Sequence, residues 1–363
     1  MKFITQLNNA WLSHFSEENP FPRWMGFPRQ QLISTQEEFL DECWRYFAVN
    51  DIYTSVYPES AKTELDDAPA LIVDKLYWDV DAPTTPQKEI VEGGLMKAHY
   101  QMQLFCDVLH EVCGMFPRVY FSGRKGFAIY ADIQPMVITY DAFRFAARRL
   151  TQNLLAAAGL IRLTNYNNCG WELFDPSVIG CVGQISRMPY TIHILSGLTC
   201  VPIDPVLSLD ECLQLAKQTK PEPIEINQFP MIINQHLEDI IIEEYPEWLA
   251  KQAEYHKTPQ SLDKDLKLLL ELAPHLKDGW SRTIHAMITP RAVMLGWSRD
   301  KIHGYCKQFV EASGQPYNFD RRREVDYQIT YRKQGAIPWG WDKFFHTFPD
   351  LHGVFTRAGA QLK

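Results

Sequence analysis

The sequence predicts an α+β protein whose C-terminal region is a separate helical bundle. Up to about residue 205, short apolar runs bounded by Gly, Pro and Asp alternate with amphipathic stretches. Beyond that point, apolar residues recur only at helical spacing, as over 262–272, 284–295 and 299–312. Lys220-Pro221-Glu222-Pro223 is typical of a linker. We therefore predict a mixed α+β domain over residues 1–210, a linker over 211–235 and a helical bundle over 236–363.

The mixed domain contains recognisable helices and strands. Helices are predicted over residues 35–46, 88–113 and 141–158, each with apolar positions three and four apart. Strands are predicted over 70–80, 118–122, 127–132, 172–174, 191–195 and 199–203, where β-branched and aromatic residues lie between turn residues.

Composition limits the functions to consider. The chain has 363 residues, long enough for two domains, and a formal net charge of −8, so any contact with nucleic acid must come from local basic patches. No apolar run is long enough to cross a bilayer, and the first residues are too polar for a secretory signal. We expect a cytoplasmic protein with no membrane partner.

The eight cysteines are scattered, and none forms a C-x-x-C pair. His99, Cys106, His110 and Cys113 fall near one helix face, which is the donor set of a zinc site. Donors on a single helix rarely converge on one ion without a partner segment. We therefore predict a helix that buries reduced thiols, and no zinc.

The strongest local signal is a pair of carboxylates at the end of an apolar strand. Asp79 and Asp81 lie two apart, so their side chains point to the same face, and Pro83 follows directly. Two such charges repel each other unless a cation lies between them, and Mg²⁺ or Mn²⁺ prefers oxygen ligands. A D-x-D sequence alone is also compatible with two aspartates that are simply exposed to solvent where a strand passes into a loop.

A glycine-bracketed basic turn joins two of the predicted strands. Ser122, Gly123, Arg124, Lys125 and Gly126 combine a hydroxyl, two cations and two glycines, whose backbone amides can approach an anion closely. The turn contains no Walker A spacing and precedes no helix, which excludes a dinucleotide fingerprint. A simple hairpin turn with two exposed basic residues is the alternative.

Further along the chain, Asp175 ends a short apolar run, and a basic segment follows. Arg187 and His193 flank Pro189 at the entry to a predicted strand, and Thr191 shares a face with His193. This surface suits a triphosphate, although a lone histidine is more often structural. No G-x-S-x-G or similar context supports acyl transfer.

In this order, the D-x-D pair, the basic turn, Asp175 and the segment 187–193 resemble the motifs of the archaeo-eukaryotic primase superfamily. That superfamily includes the primase-polymerases of archaeal plasmids, viruses and other mobile elements. That family carries a D-x-D strand, an S-G-R-R-G-x-H-like turn, a third aspartate and an R-x-P-x-[ST]-x-H-like strand, followed by a Lys-Thr-Gly-like turn. The chain departs from the pattern in two places. Ala128 stands where the family has a histidine, and Leu195-Ser196-Gly197 stands for the Lys-Thr-Gly turn.

The resemblance implies a primase-type, RRM-like core and nucleotidyl transfer by two Mg²⁺ or Mn²⁺ ions. Asp79, Asp81 and Asp175 would be the metal ligands and catalytic residues. The nucleotide would be bound by Ser122, Gly123, Arg124, Lys125, Arg187 and His193. The implied partners are nucleoside triphosphates, a single-stranded DNA template and a replicative helicase.

The C-terminal bundle carries a basic stretch that is a candidate DNA contact. It comprises Arg321, Arg322, Arg323, Arg332 and Lys333. A solvated helix face is the alternative. Three functions remain open: a primase-polymerase replicating a mobile element, a repair or gap-filling polymerase of the same fold, and a DNA-binding replication initiator that has lost catalysis.

Overall fold

The protein divides into two compact units, Met1–Glu247 and Trp248–Lys363. The computed structural model describes residues 2–16, 19–26, 31–85, 87, 89–161, 173–218, 220–225, 231–255, 259–276 and 280–332.

The first unit is a mixture of helices and antiparallel strands, which confirms the α+β class. Its helices are α1 (Lys2–Leu12), α2 (Gln36–Tyr46), α3 (Gly94–Cys113), α4 (Tyr140–Ala157), α5 (Leu209–Lys217) and α6 (Met231–Asp239). Its strands are β1 (Arg23–Gly26), β2 (Gln31–Ile33), β3 (Tyr53–Ser55), β4 (Lys62–Leu65), β5 (Ala68–Asp81), β6 (Arg118–Phe121), β7 (Gly126–Thr139), β8 (Ile185–Arg187) and β9 (Val201–Ile203).

The strands form two sheets, with orders β2-β1-β3-β8 and β4-β5-β7-β6-β9. The long pair β5 and β7 runs from Ala70 opposite Thr139 to Asp81 opposite Gly126, with one irregularity between Val73 and Lys75. The β6–β7 hairpin therefore ends beside the last residues of β5.

Alternation along β5 decides which side chains face the helices. The Trp78 ring packs against Phe105 of α3, with centroids 5.1 Å apart, and its Nε1 donates to Thr151 Oγ1 of α4 at 2.7 Å. Because neighbouring strand residues point to opposite faces, Tyr77, Asp79 and Asp81 lie on the face away from these helices.

A buried polar and aromatic layer supports that second face. Arg118 donates to both carboxylate oxygens of Asp132, at 2.8 and 2.6 Å, and to Tyr120 Oη at 3.1 Å. The rings of Tyr77 and Tyr130 lie 5.0 Å apart. A bidentate ion pair inside an aromatic layer leaves few alternative arrangements, so the strands beneath the site are held in one register.

Most predicted elements are present, with two local differences. The helix predicted to start at residue 88 starts at Gly94, because Gly93 is left-handed (φ 71°) and Thr84 bridges to Ile90 before it. The strand predicted over 191–195 is replaced by a turn, and the bridge between Ile192 and Thr199 pairs its start with the next segment. Glu172 lies outside the described residues.

The boundary between the units lies later than the sequence predicts. The predicted linker, 211–235, contains most of α5 and part of α6, and both helices bury side chains in the first core: Cys212, Ala216, Ile233 and Leu237. The Asn234 side chain also bonds to the Gln134 backbone, accepting from its N at 3.0 Å and donating to its O at 2.8 Å. The prolines near 221 were misleading, because the amphipathic segments around them complete the first core.

The second unit is helical, as predicted. Its helices are α8 (Pro259–Leu272), α9 (Trp280–Thr283), α10 (Thr289–Met294), α11 (Arg299–Ala312) and α12 (Phe319–Arg332), and α7 (Tyr245–Tyr255) precedes them. Its own core includes Leu269, Met287, Phe309 and Val325. No helix in the described part of the chain combines the length and apolar character needed to cross a bilayer.

The position of the boundary predicts how truncated chains behave. Residues 1–247 should fold alone, whereas residues 1–210 should lose the burial of Ile233, Leu237 and Ile240, each contributing about 1.5–3 kcal/mol. Thermal unfolding followed by near-UV circular dichroism measures the difference. A 1–210 fragment as stable as the 1–247 fragment would contradict this boundary.

Candidate active site

Three aspartates lie together on one face at the end of β5. Phe174 pairs with Val80 as an antiparallel bridge. Asp81 N donates to Leu173 O, and Asp175 N donates to Asp79 O, both at 3.0 Å. Residues opposite each other in an antiparallel pair share a face, so Asp175 stands across from Asp79. The structure thus brings the predicted third carboxylate beside the D-x-D pair.

The three carboxylates repel one another. The pKa of Asp79 is raised to about 8, first by burial and then by the charge of Asp81, with a smaller contribution from Asp175. The Lys125 ammonium acts in the opposite direction but does not cancel these effects. A divalent cation among the carboxylates would offset both the free-energy cost of burying the charged Asp79 and the repulsion from its neighbours.

Two of these carboxylates already have partners. Lys125 forms an ion pair with Asp81 Oδ2, and Asp175 Oδ1 accepts from Ser177 N at 2.8 Å. Across the described residues, no three His, Cys, Asp or Glu side chains converge closely enough to hold a metal ion as they stand. The donor set consists of hard oxygens, which suit Mg²⁺ or Mn²⁺, and Lys125 competes with a cation for the Asp81 carboxylate.

The basic turn predicted from sequence closes the β6–β7 hairpin next to these carboxylates. Ser122 N donates to Gly126 O at 2.9 Å, and Gly126 N donates to Ser122 Oγ at 3.2 Å. Gly126 lies opposite Asp81, and a Cβ at this position would collide with the Asp81 carboxylate and the Val80 carbonyl. Only glycine lets the hairpin come this close to the acidic residues.

The turn also packs against a second turn, residues 193–198. Gly123 is left-handed (φ 85°), and a Cβ there would lie 2.9 Å from Leu198 O. Ser196 Oγ donates to Gly123 O at 2.5 Å. The two turns therefore form one connected wall of the site.

Arg187 comes from the other sheet and is held by two side-chain hydrogen bonds. Its Nη1 donates to Asp51 Oδ1 at 2.8 Å, its Nη2 donates to Tyr53 Oη at 2.6 Å, and its guanidinium lies 4.7 Å from the Tyr53 ring centre. Burial raises the pKa of Tyr53, and the charge of Asp79 adds to the increase. Tyr53, which contacts Arg187, therefore lies near enough to Asp79 for the carboxylate charge to act on its phenol.

His193 lies close to two of the predicted cationic residues. Its ring is buried, and its Nδ1 has no hydrogen-bond partner among the described residues. Its pKa is lowered, mainly by burial and then by the charges of Arg187 and Arg124. The structure therefore groups Arg124, Arg187 and His193, whereas Lys125 points to the acidic side of the same turn.

The remaining predicted residues belong to the second unit and to α3. Arg321, Arg322 and Arg323 belong to the second unit, where the Arg321 guanidinium lies 4.1 Å from the Trp280 ring centre and the other two are exposed. Only the backbone of Arg332 is described, and Lys333 lies outside the described residues. On α3, the His99 Nε2 lies 2.9 Å from Leu207 O, and burial raises the pKa of Cys113 to about 11.

Sequence reasoning missed two residues of the site, Asp51 and Tyr53. Both contact Arg187, and Asp51 Oδ1 also accepts from Ile194 N at 3.0 Å. Their partners lie more than 130 positions away, so no local motif includes them. The available local signal was weak: Tyr53 begins the short strand β3, and Asp51 precedes it by two residues.

Comparisons with known proteins leave the family of the chain open. No family model matches, and no curated protein is significantly similar. Among solved structures, the polymerase domain of Mycobacterium tuberculosis ligase D in complex with DNA is similar, with 13% identity and a TM-score of 0.37, covering 67% of this chain and 87% of that one. The primase RepB′ is similar with 11% identity and a TM-score of 0.33, covering 97% and 98%. Because both TM-scores lie below 0.5, neither similarity identifies a function for this chain.

The raised pKa of Asp79 predicts a pH-dependent cost in stability. The folded state binds the Asp79 proton more tightly than the unfolded state does, so the destabilisation is absent below about pH 4 and grows until pH 8. In EDTA, Asp79→Asn should raise the Tm at pH 8 by a few degrees, and the gain should shrink towards pH 5.

The exposed Asp107 on α3 offers a matched control, and Asp107→Asn should leave the Tm unchanged. Added Mn²⁺ should raise the Tm of the wild-type protein more than that of Asp79→Asn. If Asp79→Asn lowers the Tm at pH 8, the three carboxylates are not in mutual repulsion.

Proposed function

We propose that the chain is a metal-dependent nucleotidyltransferase that acts as a DNA primase-polymerase. The observation that carries the proposal is the pairing of residues 173–175 with the end of β5, which puts three carboxylates on one face. The cationic group of Arg124, Arg187 and His193 lies on the adjoining wall. An acidic cluster beside an anion-binding space is what transfer of a nucleotide from its triphosphate requires.

The acidic side of the site would hold the metal ions. Asp79, Asp81 and Asp175 supply carboxylate oxygens, and Mg²⁺ or Mn²⁺, when bound, activates a hydroxyl and neutralises charge on a leaving pyrophosphate. In the structure, Lys125 forms an ion pair with one oxygen of Asp81. An ammonium released from Asp81 would remain in the same turn as Arg124, where it could add positive charge for binding phosphates.

The cationic side would bind the triphosphate. Arg187 presents a guanidinium fixed by Asp51 and Tyr53, and the unpartnered His193 Nδ1 is available for one more hydrogen bond. Arg124, the backbone at Gly123 and the Ser122 hydroxyl lie in the turn beside them. These groups would orient the nucleotide and stabilise charge that develops during transfer.

In this proposal, the template is single-stranded DNA, the substrates are nucleoside triphosphates, and a replicative helicase is a partner in copying a mobile element. The second unit contributes cations: Arg321 stacks on Trp280, and the Lys301 ammonium lies 3.9 Å from the Trp297 ring centre. Paired cations and tryptophans are suited to phosphates and unstacked bases.

One observation favours a second candidate, a DNA-binding initiator without catalysis. Ala128 lies directly opposite Asp79 in the β5–β7 pair, where the related family has a histidine. A methyl group there contributes no contact to a phosphate. A gap-filling polymerase of the same fold would share the site and differ only in needing a primer.

Replacing the aspartates tests the proposed catalysis. Asp79→Ala, Asp81→Ala and Asp175→Ala should each reduce nucleotide incorporation on a primed template by about 10²–10³-fold or more, as expected when a preorganised charge contact is removed. Primer extension with Mg²⁺ or Mn²⁺ measures this, with Asp107→Ala as the matched control. Near wild-type extension by any of the three variants would show that this aspartate is not a ligand.

Removing the second unit should separate priming from extension. Starting a chain requires a template and two nucleotides held at once, whereas extension needs only the site in the first unit. Residues 1–247 should extend a ready-made primer but prime a bare single-stranded template much less, because the cations of the second unit no longer contribute phosphate contacts. Assays with ribonucleotides and deoxyribonucleotides measure both activities, and equal loss or unchanged priming would contradict this role.

A further inference from the structure

A single carboxylate joins two separate parts of the cationic group. Asp51 Oδ1 accepts from Arg187 Nη1 at 2.8 Å and from Ile194 N at 3.0 Å. Arg187 lies on β8, and Ile194 lies in the turn that carries His193. Asp51 lies two residues before β3, the strand that pairs with β8. One oxygen atom therefore fixes the distance between the guanidinium and the histidine turn.

The connection continues to the basic turn on the other side. From Ile194, the turn reaches Ser196, whose Oγ donates to Gly123 O at 2.5 Å. His193 N donates to Leu198 O at 2.8 Å, which closes the turn internally. Asp51 is thus the first member of a series of hydrogen bonds that ends next to Arg124.

The negative charge of Asp51 is unfavourable beside a space that is proposed to bind an anion, so its presence there needs a reason. A carboxylate beside an anion-binding space lowers the positive potential there, so simple attraction of phosphates would favour a neutral residue. Burial alone would raise the pKa of Asp51, but the hydrogen bonds from Arg187 and Ile194 lower it, so the group stays ionised. The Arg187 side chain is only 5% exposed, which leaves its guanidinium little freedom to find another partner.

We propose that Asp51 is a positioning residue, which holds Arg187 and the 193–198 turn in the arrangement that receives a triphosphate before the nucleotide arrives. The inference rests on the proposed function for the identity of the anion. Donors fixed in advance bind and stabilise phosphate charge without reorganisation, which is the advantage that offsets the unfavourable charge of Asp51.

Two substitutions separate geometry from charge. Asp51→Asn keeps an oxygen acceptor at the same place but removes the charge, whereas Asp51→Ala removes both. If Asp51 acts by positioning, Asp51→Ala should weaken binding about tenfold, the effect of losing a charge-assisted hydrogen bond, and Asp51→Asn should restore most of the affinity. If its charge alone mattered, both variants would bind the anion more tightly than the wild type.

The binding probe is tripolyphosphate, measured by calorimetry on the full chain in metal-free buffer. The exposed Asp41 on α2 is the matched control, and Asp41→Ala should bind as the wild type does. In primer extension, Asp51→Ala should raise the KM for nucleotide much more than it lowers kcat. A general loss of folding would instead lower the active fraction and leave KM unchanged.

The outcomes distinguish this inference from the proposed function. If the wild type and both Asp51 variants bind tripolyphosphate equally, the positioning role is overturned and the proposed function stands. A different outcome is that the wild type and Asp51→Asn bind tripolyphosphate more tightly than Asp51→Ala does, but the wild type incorporates no nucleotide. The positioning role then stands and the proposed function fails. If the wild type does not bind tripolyphosphate, the cationic group is not an anion site and this inference is overturned.

Discussion

The organisation of the site depends on holding three like charges on one face against their mutual repulsion. Trp78, wedged between Phe105 and Thr151, anchors the back of β5, and the bridge between Val80 and Phe174 brings Asp175 alongside. Burial, together with the charges of Asp81 and Asp175, raises the pKa of Asp79. The core and the strand pairing therefore supply the free energy that keeps the carboxylates together, as is common for functional sites.

The neighbouring features follow from this constraint. Lys125 offsets part of the charge by pairing with Asp81, and Gly126 is required because any side chain there would meet that carboxylate. The basic turn thus faces two ways, with Lys125 towards the acids and Arg124 towards Arg187 and His193. A turn that carries cations to both sides couples the acidic and cationic halves of the site.

Sequence periodicity predicted the elements well where one face of a strand or helix is buried. It placed β5, its D-x-D end and the helix over 299–312 because alternation or helical spacing is explicit there. It misplaced the unit boundary because α6 buries Ile233 and Leu237 against residues far away in the chain. The approach of Asp175 to Asp79 and the Asp51–Arg187 contact also join distant segments, so no local pattern could have located them.

We propose that Asp79, Asp81 and Asp175 form a cation site, and that Lys125 pairs with Asp81 until metal binds. Crystals grown with Mn²⁺ and a non-hydrolysable nucleoside triphosphate, measured at a wavelength that gives manganese anomalous signal, test it most directly. We expect anomalous density among Asp79, Asp81 and Asp175, with the Lys125 ammonium moved off Asp81. Absence of density there at saturating Mn²⁺, with Lys125 still paired to Asp81, would contradict it.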